Sequence, residues 1–238
     1  MIKVISKLGP GLLFAGAAIG VSHLVQSTRA GADFGFGLIW ALILVNLFKY
    51  PFFQYGPRYA IVTGESLLDG YYKIGKFFLI AYFVLNILTM FTIQTAVTIV
   101  TAGLASSLFS FTDNMVIWSS IITVLCYLIL LVGKYNLLDK MIKIIILILA
   151  ISTILSTGIA SFNTEQTYSF EQIFPEGTGL VFLVAFMGWM PAPLDISIWH
   201  SIWTIEKTKS QKISKKDTLF DFNVCLLYTS DAADDRSC

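Results

Sequence analysis

The sequence predicts an all-α integral membrane protein, and three observations carry that expectation. Of 238 residues, 56% are hydrophobic and only 13% are charged, against roughly 25% charged and 45–50% apolar in soluble domains. The apolar residues gather into runs of about 20, the length a helix needs to cross a bilayer. The few charges lie mainly between those runs, and they alternate in sign and number from one gap to the next. Lys plus Arg 16 against Asp plus Glu 15 leaves a net charge of +1, which offers no basic face to nucleic acid. Cys126, Cys225 and Cys238 have neither a disulfide nor a zinc spacing.

Taken in order, the apolar runs place spans at 10–28, 36–57, 77–108, 115–133, 141–161 and 179–203, with a seventh beginning at Leu219. The first is rich in Gly and Ala and preceded by Lys3 and Lys7, so a cleaved signal peptide is its rival reading. The third is long enough to tilt or to project from the bilayer. It has no Asp, Glu, His, Lys or Arg between 77 and 109, so it is not expected to relay protons. Residues 225–235 read CLLYTSDAADD, a string similar to the translation of a sequencing-library adapter. The stretch 225–238 is therefore set apart as a non-native tail, and the natural protein is expected to continue beyond Val224.

The gaps fix the orientation. Lys3 and Lys7 precede the first span, and the gap after it carries only Arg29. Arg58, Lys73 and Lys76 fill the second gap, and the third has no basic residue. Lys134, Lys140 and Lys143 fill the fourth, whereas the fifth carries Glu165, Glu171 and Glu176. Lys207, Lys209, Lys212, Lys215 and Lys216 crowd the sixth, where they read as an orientation signal. Basic residues favour the cytoplasmic side, which puts the N-terminus inside a cell (inner or plasma) membrane crossed several times.

Two spans resist being continuous helices. In the sixth, GWMPAPLDISIWH places Pro191 and Pro193 in mid-span. Each proline lacks an N–H, so the carbonyls of Met187 and Trp189, four residues earlier, lose their helical partners. In hydrocarbon such groups persist only where protein or a water-filled cavity satisfies them. A second half-helix is therefore expected from near Leu194, with Asp195 in its first turn, where the dipole favours a negative charge. In the first span, Gly16 and Gly20 precede the polar cluster Ser22, His23, Gln26, Ser27 and Thr28. A break near Gly20 and a Gly/Ala packing face are both compatible with these residues. Interrupted segments in corresponding positions point to a transporter of inverted repeats, with its site at the midplane between them.

The stretch GPGLLFAGAAIGVSHLVQSTRAGADFGFGLIWALILVNL and the Met-Pro of GWMPAPLD resemble the NRAMP family of divalent metal-ion transporters, over about 10–70 and the sixth span. The resemblance implies a LeuT-like fold of two five-helix inverted repeats. Residues 1–161 would form the first repeat and 162–224 the start of the second, so this chain alone is not expected to transport. It also implies manganese or ferrous iron bound between helices one and six, with uptake by alternating access and commonly driven by protons. The aspartate-proline-glycine-asparagine motif of the family's first helix falls on Gly20, Val21, Ser22 and His23 here, and its methionine-proline-histidine on Met190, Pro191 and Ala192.

The candidate site thus comprises Gly20, His23, Met187, Met190 and Asp195, with His23, Met190 and Asp195 as ligands to a transported metal. His23 stands at the family's asparagine and offers an imidazole. Met190 offers a soft sulfur that favours transition metals over calcium or magnesium, and core packing is its other reading. Asp195, a carboxylate inside a span, replaces the missing first-helix carboxylate or caps the second half-helix. His200 lies on another face, toward a membrane surface, and Lys49 snorkels or pairs with a group in the cavity. The bilayer and the carried cation are the expected partners, with no separate cofactor. Another small solute or an organic cation on the same scaffold is the alternative. No His-Glu-x-x-His or Gly-x-Ser-x-Gly motif supports an enzyme.

Overall fold

The computed structural model describes residues 9–20, 22–163, 169–210 and 213–234. Lys3, Lys7, Val21, Glu165, Lys212 and the last four residues of the adapter-like stretch lie outside the described residues. All regular structure among the described residues is helical. Helix α1 (Pro10–Ala18) leads into a π-helical segment (Ser22–Ser27) and α2 (Thr28–Phe34). Then come α3 (Ile39–Thr63), α4 (Leu67–Ile74), α5 (Lys76–Phe109), α6 (Met115–Asn163), α7 (Thr178–Trp189), α8 (Ile196–Ser210) and α9 (Lys215–Asp234).

Each expected span has a helical counterpart, and the first and sixth are broken. Pro10–Ala18 and His23–Phe34 are bent by 50° against each other, and the π-helical ladder between them opens the hydrogen-bond register. The sixth span ends at Trp189 and restarts at Ile196, two residues later than the prolines alone suggest. The stretch 134–140, expected to be a loop, is instead helical within the 49 residues of α6. It contains no proline, and Leu137 and Leu138 carry the apolar pattern through it. The two apolar stretches of α6, Met115–Gly133 and Leu137–Ile159, are each long enough to cross, as is Lys76–Phe109. The bent first pair counts as a fourth candidate. Helix α3 has the length but interrupts its apolar run with Lys49, Gln54 and Arg58, and α7, at 12 residues, is too short to cross alone.

The chain divides into two compact units, residues 68–140 and residues 1–67 with 141–238. In the first, the corner between α5 and α6 is fixed by the Thr112 carbonyl, which accepts from Ser106 Oγ at 3.1 Å and from the Trp118 indole at 2.9 Å. Its helices turn large apolar side chains such as Leu85, Phe91 and Val116 outward. Such a surface is at home against lipid and is a liability in water.

In the second unit, α1, α3, α8 and α9 pack together. Their shared core is Phe14, Ala18, Phe53, Ala192, Ile196, Phe222 and Leu226. Phe14 anchors it, edge-on to Phe53 at 5.5 Å and to Phe222 at 6.0 Å. A second cluster joins α2, α3 and α7 through Ala30, Leu38, Leu42, Leu183, Phe186 and Met190. Helix α3 is shaped for close approach. Pro51 and Pro57 lie inside it, and Ser197 Oγ of α8 donates to its Phe52 carbonyl at 3.0 Å.

Gly56 is where that approach leaves no room: a Cβ there would collide with the Ser197 carbonyl oxygen and lie 2.8 Å from its Oγ. Gly56→Ala should destabilise the protein by about 1–3 kcal/mol, the usual cost of overpacking. Gly103→Ala, whose Cβ would meet nothing within 4 Å, should be neutral or stabilise by up to about 1 kcal/mol. Thermal unfolding of the two variants in detergent checks the contrast.

Candidate functional site at the broken helices

The sixth-span break exposes the peptide groups that its prolines imply. The last helical bond of α7 runs from Met190 N–H to the Phe186 carbonyl at 3.0 Å. Beyond it, Pro191 and Pro193 have no N–H to offer the carbonyls of Met187 and Trp189. Lys49 of α3 reaches into this gap. Its Nζ donates to the carbonyls of Met187 at 2.9 Å, Gly188 at 2.7 Å and Met190 at 2.8 Å, and approaches that of Ala192 at 3.4 Å. An ammonium has three N–H donors, and three short contacts use them. The carbonyls stand at the negative end of the α7 dipole, which favours a cation there. Lys49 thus pairs with the break instead of snorkelling away from it.

Across the break, Asp195 stands immediately before Ile196. Its backbone carbonyl accepts from Ile198 N–H at 2.9 Å. The carboxylate stands at the N-terminus of α8, the helix end that favours negative charge.

The first broken span lies beside the sixth: α1 packs on α8, and the π-helical segment packs on α7. A Cβ at Gly20 would meet nothing within 4 Å, so the break opens onto free space. His23 is buried and directs Nε2–H to the Thr229 carbonyl at 3.0 Å, and its ring also bonds the Ala18 carbonyl. Thr229 belongs to the stretch set apart as adapter-like, which is helical in α9 as far as Asp234 and buries Cys225, Leu226 and Thr229. Met190 is fully buried in the cluster of α2, α3 and α7, with Met187 packed against it. The break therefore gathers the backbone of Met187 and Met190 around one point, while His23, the Met190 side chain and Asp195 each have their own local engagements. Among the described residues no three His, Cys, Asp or Glu side chains are grouped to hold a metal ion.

Two further features escaped the sequence. Asp221, buried in α9, accepts from Gly11 N–H at 2.8 Å through one carboxylate oxygen and from Gly9 N–H at 3.2 Å through the other. It sits at the N-terminus of α1, and the charge of Lys207 acts on it. Lys207 is itself buried, so this member of the basic run packs inside the unit. His200 is not near a surface of this unit. It is fully buried between Phe14 and Phe222, with ring centroids at 5.5 Å and 5.8 Å, and neither ring nitrogen has a protein partner.

Apolar helices, an outward-facing apolar surface and two adjoining broken segments define a polytopic helical membrane protein with a polar break inside its helical packing. A family model for natural resistance-associated macrophage protein-like proteins (Nramp) matches residues 11–230. The chain belongs to that family, which is one of divalent metal transporters and not of enzymes. It is similar to Uncharacterized protein PM0681 of Pasteurella multocida (strain Pm70), with 38% identity over 230 residues that cover 94% of this chain and 53% of that protein. The chain thus spans about half the length of the curated relative it matches. No solved structure matches it.

Replacing Asp221 by Ala should remove both bonds to the N-terminus of α1 and the carboxylate on which the buried Lys207 charge acts, and breaking such a buried pair typically costs about 3–5 kcal/mol. Asp221→Asn keeps an acceptor oxygen and should cost less. Unfolding midpoints of the two variants, compared in one detergent, test that ranking.

Proposed function

We propose that this chain is part of a secondary transporter that moves a divalent metal cation of the manganese or iron kind across the cell membrane by alternating access. Its fold is LeuT-like, its N-terminus is cytoplasmic, and the substrate is taken between the broken first and sixth spans, with proton coupling as in the resembled family. The observation that carries this reading is the break itself. Four backbone carbonyls there turn toward one positive charge, in a family of metal transporters. A break of this kind between half-helices marks the substrate site in transporters built on discontinuous helices, and the carried metal would sit beside the carbonyls that Lys49 occupies. In this reading His23, Met190 and Asp195 turn from their local partners toward the metal when it binds.

A second reading, transport of an organic cation or another small solute without metal coordination, is favoured by one observation. The Met190 side chain is buried in an apolar cluster, and among the described residues no three His, Cys, Asp or Glu side chains are grouped to hold a metal ion.

Flux into proteoliposomes carrying the full-length protein separates the two, with manganese, magnesium and an organic cation as competing substrates. The first reading expects manganese uptake, and a loss of about tenfold or more in manganese transport on Met190→Ala. Unchanged manganese flux in His23→Ala, Met190→Ala and Asp195→Asn would rule out this ligand set. Uptake of the organic cation alone would establish the second reading.

A further inference from the structure

We propose that Lys49 is a resident cation. The carbonyl cluster at the sixth-span break is a monovalent-cation site that the chain fills with its own ammonium, and it takes ammonium-like or alkali cations when that side chain is cut back. This goes beyond the identity of the carried solute and does not rest on the metal reading.

The geometry supplies three supports. The four groups around Nζ are all neutral backbone carbonyls of one short segment: Met187, Gly188, Met190 and Ala192. Carbonyl clusters of this kind replace the hydration shell of small monovalent cations in selectivity filters. The lysine comes from a different helix, so the segment's shape does not depend on a local backbone bond to that residue. And the helical ladder stops here: Pro191 has no N–H for the Met187 carbonyl, α7 ends at Trp189 before the donors that would serve Gly188, Met190 and Ala192 come into register, and lipid offers these carbonyls nothing. A cation held by three or four such oxygens satisfies the break, and a tethered one does so at no cost in ion concentration. It follows that a free coupling ion such as sodium has no place at these carbonyls while Lys49 is present.

The test uses the full-length protein, with Lys49→Ala and Lys49→Met compared with the unaltered chain. Thermal unfolding in detergent is followed in the chlorides of methylammonium, sodium, potassium and tetramethylammonium at one ionic strength. Both variants should melt several degrees below the parent. Methylammonium, and at least one of sodium and potassium, should raise their midpoints saturably, whereas tetramethylammonium, bulky and without N–H groups, should not. The parent should show no such selectivity. Lys49→Met retains the apolar stem, so it decides the matter if Lys49→Ala cannot be purified. Recovery of folded Lys49→Met only in methylammonium or an alkali cation also supports the proposal. Midpoints or yields that no small cation selectively restores overturn it, as does equal stabilisation of the parent. Manganese flux is read separately: cation rescue without manganese uptake sinks the metal reading alone, and manganese uptake without rescue sinks this inference alone.

Discussion

In hydrocarbon, a peptide carbonyl without a partner costs several kcal/mol, and no water is at hand to relieve it. That constraint organises the part of the molecule where α1, α3, α7 and α8 meet. Pro191 and Pro193 end the sixth span's hydrogen-bond ladder at its middle, and the chain resolves the conflict with a charge instead of a backbone donor. The Lys49 ammonium reaches four carbonyls of the break at 2.7–3.4 Å. The ammonium is itself only half-buried, so it keeps part of its hydration while its three N–H groups serve the break. The break stays open and polar without unravelling the helices on either side.

The service Lys49 performs depends on α3 being held close. Small residues do that: Gly56 lets the backbone of α3 meet Ser197 of α8, and Ser197 Oγ bonds the Phe52 carbonyl beside it. Phe53, a turn of helix beyond Lys49, is buried against Phe14. The same helix therefore supplies the charge for the break and the surface on which the second half of the sixth span rests.

Much of this could be read from the residues in order. Two prolines separated by one residue inside an apolar run are a local signal with a local cause, and the broken sixth span follows from them directly. The Gly-rich first segment was ambiguous because glycine permits a break without requiring one. What decides it is tertiary, namely α8 and α9 packed on α1 and α7 packed on the π-helical segment. The helical stretch 134–140 was misread as a loop because its charges resemble those of an interfacial turn, although it carries no proline to stop a helix. The partners of Lys49 and Asp221 were out of reach for a simpler reason. Their hydrogen bonds join residues more than a hundred positions apart, and a sequence without coordinates shows a lone lysine and a lone aspartate, not what they face. His23, Met190 and Asp195 could be nominated by position, but the surroundings of the first two are tertiary: the His23 ring meets the Thr229 carbonyl and Met190 is buried among α2, α3 and α7.

The helix ends around the two breaks follow one electrostatic rule. Asp221 places a carboxylate at the positive N-terminus of α1, Asp195 places another at the N-terminus of α8, and Lys49 places an ammonium at the negative C-terminus of α7. Each charge opposes the partial charge of the helix end it meets. Two of the three come from an element other than the helix they neutralise, since Asp221 belongs to α9 and Lys49 to α3. Movement of a half-helix in a transport cycle must therefore either carry its neutralising neighbour along or leave a dipole end uncompensated in a medium of low dielectric. The second course is the costlier, so α1 with α9, and α7 with α3, are the pairs expected to move as units.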